Sequence, residues 1–456
     1  HRRLSIIDTR EVGRQPMADS TGNLWVAFNG EIYGFQTLRE NLEAKGHVFS
    51  TRTDTEVILA LYREYGLDFV DHIDGMFAIA LWDRQLRRLV LVRDRLGIKP
   101  LFVSELNDGT LLFSSELKGL LASGIIDDRI DLQAHHDYLG LNYVPGPRTI
   151  IASIKRVEAA QMMIWEDGKS TTRRYWQQTF REGSNQTDAP SFEEAAQLVD
   201  RKLGEAVRRR MISDVPLGMF LSGGIDSSAI LMYMAQASDR PVDAFTIRFE
   251  ENTFDESEHA RLAADAFGAK HHIETVKPDI STFLEPLTAS MDEPYADSSA
   301  IPLWYLSRLA KKHVTVALGG DGGDEVFAGY RTHYAWRLAS IWRNLPDLLT
   351  RRVVPAMVSR LPVSHSKVSF DLKARAFVSA ANRPAIEAHF GFKEFLSEDA
   401  RRSLVSRDEN MANTVRLFEH AIRDMDDKDG LQAVLKSDFD IYLPDDILVK
   451  VDRMTM

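Results

Sequence analysis

A regular alternation of strands and helices after residue 190 constrains the fold of this chain most strongly. The apolar runs PLGMFLS, DAFTIRF, HHIETV and VTVALGG are separated by stretches with helical periodicity, beginning with a helix over 192–210. This alternation predicts a parallel sheet with helices on both faces, because parallel strands need long crossover connections. We therefore expect an α/β doubly wound domain, followed by amphipathic helices over 330–437.

The N-terminal half has a different pattern. Between residues 24 and 113, alternating apolar runs punctuated by Gly, Asp and Asn predict strands joined by hairpins, with helices over 36–44 and 55–65. The run from Leu4 to Ile7 is predicted to be a strand entered in mid-sheet, so we expect an incomplete N-terminus. These patterns indicate an α+β domain with mostly antiparallel sheets.

A polar stretch separates the two patterns. The run REGSNQTDAP, within residues 179–191, contains Gly and Pro and almost no apolar side chains, which predicts a linker. The predicted domains are accordingly 1–178 and 192–456.

Composition limits the classes of function. The net charge of -11 argues against a nucleic-acid partner. No apolar run approaches the about 18 residues of a membrane helix, and nothing resembles a signal peptide, so we expect a cytoplasmic protein with no membrane partner. The 456 residues include no cysteine, which excludes disulfides, thiolate metal sites and a cysteine nucleophile from the chain as given.

The strongest motif is LSGGIDSS, Leu221 to Ser228, at the end of a predicted strand. Its glycines let backbone N–H groups approach a ligand, and a helix predicted from about Ser227 points its free amides at an anion. The motif indicates a phosphate cradle, but not a Walker A loop, because no lysine follows the second glycine. Asp226 is better suited to holding Mg2+ than to touching phosphate. A glycine-rich turn with serine caps is the alternative.

Two further motifs lie in the same half. GGDGGDEVFAGY follows the last predicted strand, so Asp321, Asp324 and Glu325 are expected to face the phosphate loop across one crevice. Paired acids there suggest a divalent metal, and a calcium-like or solvated acidic loop is the alternative. YLPDDILVKVDRMTM places Lys450 and Arg453 on an amphipathic helix, for which an ordinary surface helix is the alternative.

In the N-terminal half, FNGEIYG places Asn29, Gly30 and Glu31 at a strand end. A side-chain amide followed by a glycine N–H makes a suitable oxyanion hole. Arg3, together with the carboxylates of Glu31 and Asp54, could hold the two charged ends of an amino acid. The alternative is that Asn-Gly is simply a hairpin turn.

Taken together, these motifs resemble the glutamine-dependent asparagine synthetase family. RRLSIID, FNGEIY, TDTEVILALY, GMFAIALWD, RDRLGIKPLF, SSELKGLL, YVPGPRTI, LSGGIDSS, GDGGDEVFAGY and YLPDDILVKVDR occur in the family's order along essentially the whole chain. The resemblance implies an Ntn-hydrolase-like glutaminase sandwich, in which an N-terminal cysteine attacks glutamine, followed by an N-type ATP pyrophosphatase domain. It also implies that ATP and Mg2+ convert aspartate to an aspartyl-AMP intermediate, which glutamine-derived ammonia attacks.

The resemblance assigns roles to individual residues. Asn29 and Gly30 match the oxyanion hole, Asp321 falls where other members carry a glutamate proposed as a base, and Lys450 matches a lysine that stabilises developing phosphate charge. Asp226 and Asp324 match Mg2+ ligands. The glutamine-binding positions are Arg3, Leu4, Ser5, Ile6, Ile7, Asn29, Gly30, Glu31 and Asp54. The ATP-binding positions are Leu221, Ser222, Gly223, Gly224, Asp226, Ser227, Ser228, Ile247, Gly319 and Gly320.

Several positions depart from the family pattern. Gly319 replaces a serine, Arg248 replaces a glycine, the cysteine is absent, and the end at Met456 leads us to expect a C-terminally incomplete domain. The leading hypothesis is a ligase that makes asparagine from glutamine, aspartate and ATP. The alternatives are an amidotransferase acting on another carboxylate, of a sugar or a peptide, and a catalytically idle scaffold. A homodimer is a candidate assembly.

Overall fold

The computed structural model describes residues 1–180, 190–250, 257–277, 279–362, 370–405, 411–428 and 430–456, with the side chain of Ile280 excepted. Most of the predicted linker, 181–189, therefore lies outside the described residues. Within the described ranges, no helix is both long enough and apolar enough to cross a membrane.

The N-terminal domain is built on two antiparallel sheets, as the alternating runs predicted. One sheet has the strand order β1-β2-β3-β4-β8-β9, and the smaller one has the order β6-β5-β7. The strands are β1 (Met17–Ala18), β2 (Leu24–Ile32), β3 (Gly75–Asp83), β4 (Arg88–Arg93), β5 (Phe102–Glu105), β6 (Leu111–Ser114), β7 (Lys155–Arg156), β8 (Gln161–Glu166) and β9 (Lys169–Arg174).

The central strand β3 carries apolar side chains on both faces of the larger sheet, and both faces are packed against other elements of the domain. Ile79 and Leu81 pack against the helices of this domain, whereas Ala78 and Ala80 pack towards the smaller sheet. Both predicted helices are confirmed, the first starting one residue earlier than expected. The helices are α1 (Phe35–Ala44), α2 (Thr55–Tyr65), α3 (Leu117–Leu121) and α4 (Leu132–Leu141), with 3₁₀ turns at Glu11–Gly13 and Gly66–His72.

The prediction of a strand from Leu4 to Ile7 is wrong. The Arg3 guanidinium donates to the carbonyl oxygens of Ile7 at 2.6 Å and Asp8 at 3.0 Å. The backbone of this segment therefore folds around the Arg3 side chain and is not extended. Asp8 has a φ of 50°, which no strand accommodates. The apolar run is used for packing instead, because Ile7 is buried in the domain core.

The C-terminal domain contains the predicted parallel sheet. Its strand order is β12-β11-β10-β13, with every neighbouring pair parallel. The chain moves outward from β10 to β12 and then returns to β13 on the opposite side of β10, so a topological switch point lies between β10 and β13. The strands are β10 (Leu217–Phe220), β11 (Asp243–Phe249), β12 (Lys270–Val276) and β13 (Val316–Leu318).

Helices cover both faces of this sheet, as predicted. On one face Met219 packs with Val207 and Leu231, and on the other Phe245 packs with Leu309. The helices that accompany the sheet are α5 (Phe192–Arg210), α6 (Ile225–Ala237), α7 (Ser257–Ala266), α8 (Ile280–Ser290) and α9 (Ala300–Ala310).

The remaining described residues are mainly helical, as expected for 330–437. A π-helical segment, Asp438–Ile447, leads directly into the last helix, α18 (Leu448–Thr455), which packs on α9. The helices are α10 (Gly323–Phe327), α11 (Arg331–Trp342), α12 (Val354–Ser359), α13 (Phe370–Ala380), α14 (Ala385–Lys393), α15 (Glu398–Val405), α16 (Val415–Ala421), α17 (Leu431–Ser437) and α18 (Leu448–Thr455), with a second π-helical turn at Leu349–Val353.

Candidate active sites

Asn29 and Gly30 lie inside β2, near its end, and not in a hairpin turn. Gly30 is paired with Phe77 of β3 and has a φ of 152°. A Cβ on Gly30 would lie 2.0 Å from the Met76 carbonyl oxygen, so a side chain cannot be placed here without moving the backbone. The hairpin-turn alternative is therefore wrong, and the glycine is explained by a close approach of two strands.

Two carboxylates are buried beside this strand. Asp54 precedes α2, and its Oδ2 accepts a hydrogen bond from the Ile32 N–H at 3.1 Å. Burial and the neighbouring Asp54 charge raise the pKa of Glu31 to about 7. Burial also raises the pKa of Asp54 to about 6. Two buried acids that repel one another form a site in which a cation would be stabilised.

The N-terminal segment lies next to these acids. The Arg3 charge is close enough to lower the pKa of Asp54, which burial otherwise raises. His1 Nε2 is 3.2 Å from the Phe28 carbonyl oxygen, so the segment contacts β2 just before Asn29. The structure thus brings Arg3, Asn29, Glu31 and Asp54 to one region. The other predicted pocket residues differ in exposure, with Leu4 exposed, Ser5 and Ile6 half-buried and Ile7 buried.

In the C-terminal domain, the glycine loop after β10 is closed by serine hydroxyls. Ser222 Oγ accepts from the Gly224 N–H at 3.3 Å and lies 3.0 Å from Ser227 Oγ. Gly223 has a φ of 79°, and a Cβ there would lie 2.3 Å from the Ala260 backbone nitrogen. Helix α6 begins at Ile225 rather than near Ser227 as predicted, because the extended Gly224 is already its N-cap.

The loops after β10 and β13 meet at the switch point. A Cβ on Gly320 would lie 3.1 Å from the Ser227 backbone nitrogen, and a Cβ on Gly323 would lie 2.5 Å from Asp226 Oδ2. Burial and the Asp226 charge raise the pKa of Asp324. The glycines of the second loop therefore make room for the first, and the carboxylates of Asp226 and Asp324 are neighbours.

Lys450 lies at the same crevice and is only 7% exposed. Its Nζ donates to Ser299 Oγ at 2.7 Å and to Asp297 Oδ2 at 3.1 Å. Burial raises the pKa of Asp321, and the Lys450 charge opposes that rise. The surface-helix alternative is wrong, because the Lys450 side chain on α18 is buried and its ammonium group is paired with Asp297 and Ser299.

Gly319, the first departure from the family pattern, lies directly against the Asp321 carboxylate. A Cβ at Gly319 would lie 2.6 Å from Asp321 Oδ2. The glycine therefore leaves the space that the Asp321 carboxylate occupies. The second departure, Arg248, is an exposed side chain of β11, next to the half-buried Ile247.

Sequence reasoning missed several residues that support this crevice. Thr246 Oγ1 donates to the Leu221 carbonyl oxygen at 2.6 Å and lies 2.8 Å from His271 Nε2. Asp297 and Ser299, which hold Lys450, belong to the polar run ADSSA before α9. An aspartate followed by serines at a helix start is a recognisable capping signal, but it does not indicate a lysine partner more than a hundred residues away.

Behind the acidic loop lies a buried polar cluster centred on Asp438. Its carboxylate oxygens are 2.8 Å from His333 Nε2 and 2.7 Å from His389 Nε2, and the Lys393 ammonium donates to it at 2.6 Å. Within the described residues this is the group whose ligand atoms are close enough to hold a metal ion. The ammonium already neutralises the carboxylate, so the cluster is a structural ion pair.

Two family models match the two halves of this chain. A family model described as glutamine amidotransferase domain matches residues 1–176, and one described as asparagine synthase matches residues 198–456. Asparagine synthetase [glutamine-hydrolyzing] 1 of Bacillus subtilis is 33% identical over all of this chain and 70% of its own length. The chain belongs to the glutamine-hydrolysing asparagine synthetase family. Its two-domain architecture is that of an amidotransferase domain followed by a synthase domain.

Other relatives show how far the likeness extends. Asparagine synthetase [glutamine-hydrolyzing] 3 of Bacillus subtilis is 36% identical over 72% of this chain and 56% of its own length. The amidase chyE of Penicillium rubens is 32% identical over 76% of this chain and 53% of its own length. A solved glutamine phosphoribosylpyrophosphate amidotransferase from B. subtilis covers 58% of this chain and 65% of its own, at 16% identity and a TM-score of 0.28, a likeness too slight to bear on the fold.

Proposed function

We propose that this family member is an ATP- and glutamine-dependent ligase that converts aspartate to asparagine. The proposal is carried by one observation, the meeting of the LSGGIDSS and GGDGGDE loops with the buried Lys450 at the switch point of the parallel sheet. The proposed division is an Ntn-type glutaminase sandwich over 1–178, a linker over 179–191 and an ATP pyrophosphatase domain over 192–456.

The proposed chemistry begins by activating a carboxylate, because a free carboxylate does not accept ammonia. A β-carboxylate oxygen of aspartate attacks the α-phosphorus of ATP, and pyrophosphate leaves. The amides of the serine-closed loop, Ser222 to Ser228, and the N-terminus of α6 are suited to holding that pyrophosphate. Ammonia then attacks the acyl carbon, and AMP leaves.

Lys450 and Asp321 have complementary roles in this scheme. The Lys450 ammonium, fixed by Asp297 and Ser299, offsets negative charge that develops between the α- and β-phosphates. Asp321 is buried with a raised pKa, so it can accept the proton that the attacking ammonia must lose. Both groups are already placed before substrate binds, which reduces reorganisation during the reaction.

Asp226 and Asp324 are the residues that would hold Mg2+. Their carboxylates are close enough for one charge to raise the pKa of the other, and hard oxygen ligands suit this ion. When bound, Mg2+ would neutralise charge on the phosphates. Asp226 follows the cap of α6 and Asp324 lies in the first turn of α10, so both are held on helices.

In the N-terminal pocket, Arg3 is proposed to bind the carboxylate of glutamine, and Glu31 with Asp54 its ammonium group. The Asn29 side-chain amide and the Gly30 N–H are proposed to form the oxyanion hole. The strand position of Gly30 supports this role, because the backbone is held by pairing with β3.

Pyrophosphate exchange tests the synthetase assignment. With purified full-length protein, ATP and Mg2+, we expect labelled pyrophosphate to enter ATP when aspartate is present, and added ammonia to yield asparagine and AMP. Asp226→Asn should abolish exchange. Asp239→Asn, an exposed acid just beyond the end of α6, should leave it unchanged.

The choice of carboxylate decides between the hypotheses. Exchange supported only by a sugar or peptide carboxylate would contradict the aspartate assignment and favour the alternative acceptor. Exchange supported by no carboxylate would favour the scaffold. The motifs proposed to bind ATP do not by themselves identify the acceptor, so the choice of carboxylate must be measured.

A further inference from the structure

A loop held by buried hydrogen bonds lies between the proposed glutamine pocket and the interface between the domains. The loop follows β4 and is held by two buried charged residues, Arg93 and Asp94. Arg93 donates to the carbonyl oxygens of Gly97 at 2.7 Å and Lys99 at 2.9 Å. Asp94 Oδ2 accepts from the backbone N–H groups of Phe77 and Lys99, both at 3.0 Å. The backbone of Lys99 is therefore fixed to β3.

Phe77 of β3, whose N–H donates to the Asp94 carboxylate, lies opposite Gly30, the glycine proposed for the oxyanion hole. Phe77 is the ladder partner of Gly30, and the Asp94 N–H also donates to the Phe77 carbonyl oxygen at 2.9 Å. A displacement of β2 at Gly30 would therefore move Phe77 of β3. Through the Asp94 carboxylate, which binds the N–H groups of Phe77 and Lys99, it would also move the backbone of Lys99.

The Lys99 side chain crosses to the other domain. Its Nζ donates to Asp452 Oδ1 at 2.8 Å, and both side chains are buried. Asp452 lies on α18, two residues beyond Lys450. Residues two apart point to different sides of a helix, so α18 presents Lys450 to the ATP crevice and Asp452 to the glutaminase domain.

Lys99 is also within electrostatic reach of the glutamine pocket. Burial and Asp54 raise the pKa of Glu31, and the charges of Arg210 and Lys99 oppose that rise. The Lys99 ammonium therefore interacts electrostatically with Glu31 in the pocket and with Asp452 on α18. A ligand ammonium bound to the pocket acids would repel Lys99 and strengthen its pairing with Asp452.

We propose that Lys99 is a positioning residue that couples the two sites, transmitting occupation of the glutamine pocket through the Lys99–Asp452 pair to α18 and Lys450. Glutamine and ATP then favour one another's binding, and by linkage the effect is equal in both directions. This inference rests on the proposed function, because it requires glutamine in one site and ATP in the other.

Titration calorimetry on the 456-residue chain measures this coupling. The chain as given contains no cysteine nucleophile to attack glutamine, so binding can be measured without hydrolysis. Glutamine binding is recorded with and without saturating ATP and Mg2+. Coupling between sites is typically about 5-fold or more in the dissociation constant, and we expect such a factor in the unmodified chain. In Lys99→Met each ligand should still bind in the absence of the other. The ratio of the glutamine dissociation constants measured without and with ATP should fall to about 1-fold, because only the Lys99–Asp452 pair is lost. Lys99→Arg should retain it.

A matched control separates this pair from the interface as a whole. Arg156→Met breaks another buried contact between the domains, with Glu293 and Asp445, and should leave the coupling intact. Should Lys99→Met fail to fold, the double variant Lys99→Met/Asp452→Leu replaces the buried pair by apolar groups, a change that proteins often tolerate. It too should bind both ligands without coupling.

The outcomes are distinguishable. Unchanged coupling in Lys99→Met or the double variant, no coupling in the unmodified chain, or loss of coupling in Arg156→Met overturns the role of Lys99 and leaves the proposed function standing. Failure of the unmodified chain to bind glutamine or ATP contradicts the proposed function itself.

Discussion

Glutamine binding should weaken strongly between about pH 8 and about pH 6, because two buried carboxylates must be ionised to pair with the ligand's ammonium group. Without ligand, burial and mutual repulsion raise the pKa of Glu31 to about 7, and burial raises that of Asp54 to about 6. Both values lie above the ordinary ones. Ionising the pair therefore costs folding stability, increasingly as pH rises from about 4 to about 7.

The size of the effect follows from the ionised fractions. Glu31 is about nine-tenths ionised at about pH 8 and about one-tenth at about pH 6, where Asp54 is about half ionised. If the bound ammonium keeps both acids ionised, the dissociation constant for glutamine rises about 20-fold over this range. Glutamine itself does not change charge here, so the dependence belongs to the protein.

Calorimetric titration with glutamine at several pH values measures this dependence. Glu31→Gln should bind more weakly at every pH and retain only the about 2-fold change that Asp54 contributes. Glu43→Gln, an exposed acid on α1, should keep the full dependence. A dissociation constant equal at both ends of the range would refute the reasoning, since it would mean that the acids do not contact the ammonium group.

Three further predictions concern other sites. Gly323→Ala places a methyl carbon 2.5 Å from Asp226 Oδ2, which must then move, so pyrophosphate exchange should fall about 10-fold or more; unaltered exchange would argue against the Asp226 site. Gly30→Ala should weaken glutamine binding about 10-fold by separating β2 from β3, as calorimetry would show. Asp438→Asn should lower the free energy of unfolding at pH 7 by about 3–5 kcal/mol in urea titrations, because it leaves the largely buried Lys393 ammonium without its carboxylate partner. Stability equal to that of the unmodified chain would contradict this.

The Asp438 prediction has a defined pH dependence. Burial opposes its ionisation, but Lys393 and the hydrogen-bonding histidines hold the pKa of Asp438 far below its ordinary value. Stability from such a lowered pKa is fully present above about pH 4 and is lost as pH falls below it, towards the folded pKa. The difference between Asp438→Asn and the unmodified chain should therefore shrink in acid.

Local patterns predicted the secondary structure well where they agreed with packing. The alternation of strands and helices predicted the parallel sheet, and the bounds of α2 and α5 match the expected 55–65 and 192–210. The strand predicted over Leu4 to Ile7 is wrong because three apolar residues in a run of four indicate burial and not strand pairing. What decided that segment was the Arg3 side chain bonding to nearby carbonyl groups, which periodicity does not reveal.

The site was predictable to the extent that its chemistry lies within short motifs. The acidic loop of Asp321 and Asp324 was expected to face the phosphate loop, because the carboxyl ends of parallel strands meet at one edge, and the two loops do lie against one another. The partners of Lys450 were not expected, because Asp297 and Ser299 precede a helix far away in sequence. No local signal reports which cation a capping aspartate will meet.

The burial of charge on α18 shows why such contacts escape sequence reasoning. An amphipathic pattern predicts an apolar face turned inward, yet Lys450 and Asp452 are buried as fully as Ile447 and Leu448. A helix between two domains has two inward faces, and both buried charges of α18 have a partner of opposite charge. Lys450 pairs with Asp297 of its own domain, whereas Asp452 pairs with Lys99 of the N-terminal domain. The two buried charges of α18 therefore have partners in both domains, and the charge of Asp452 is compensated only where the two domains are in contact.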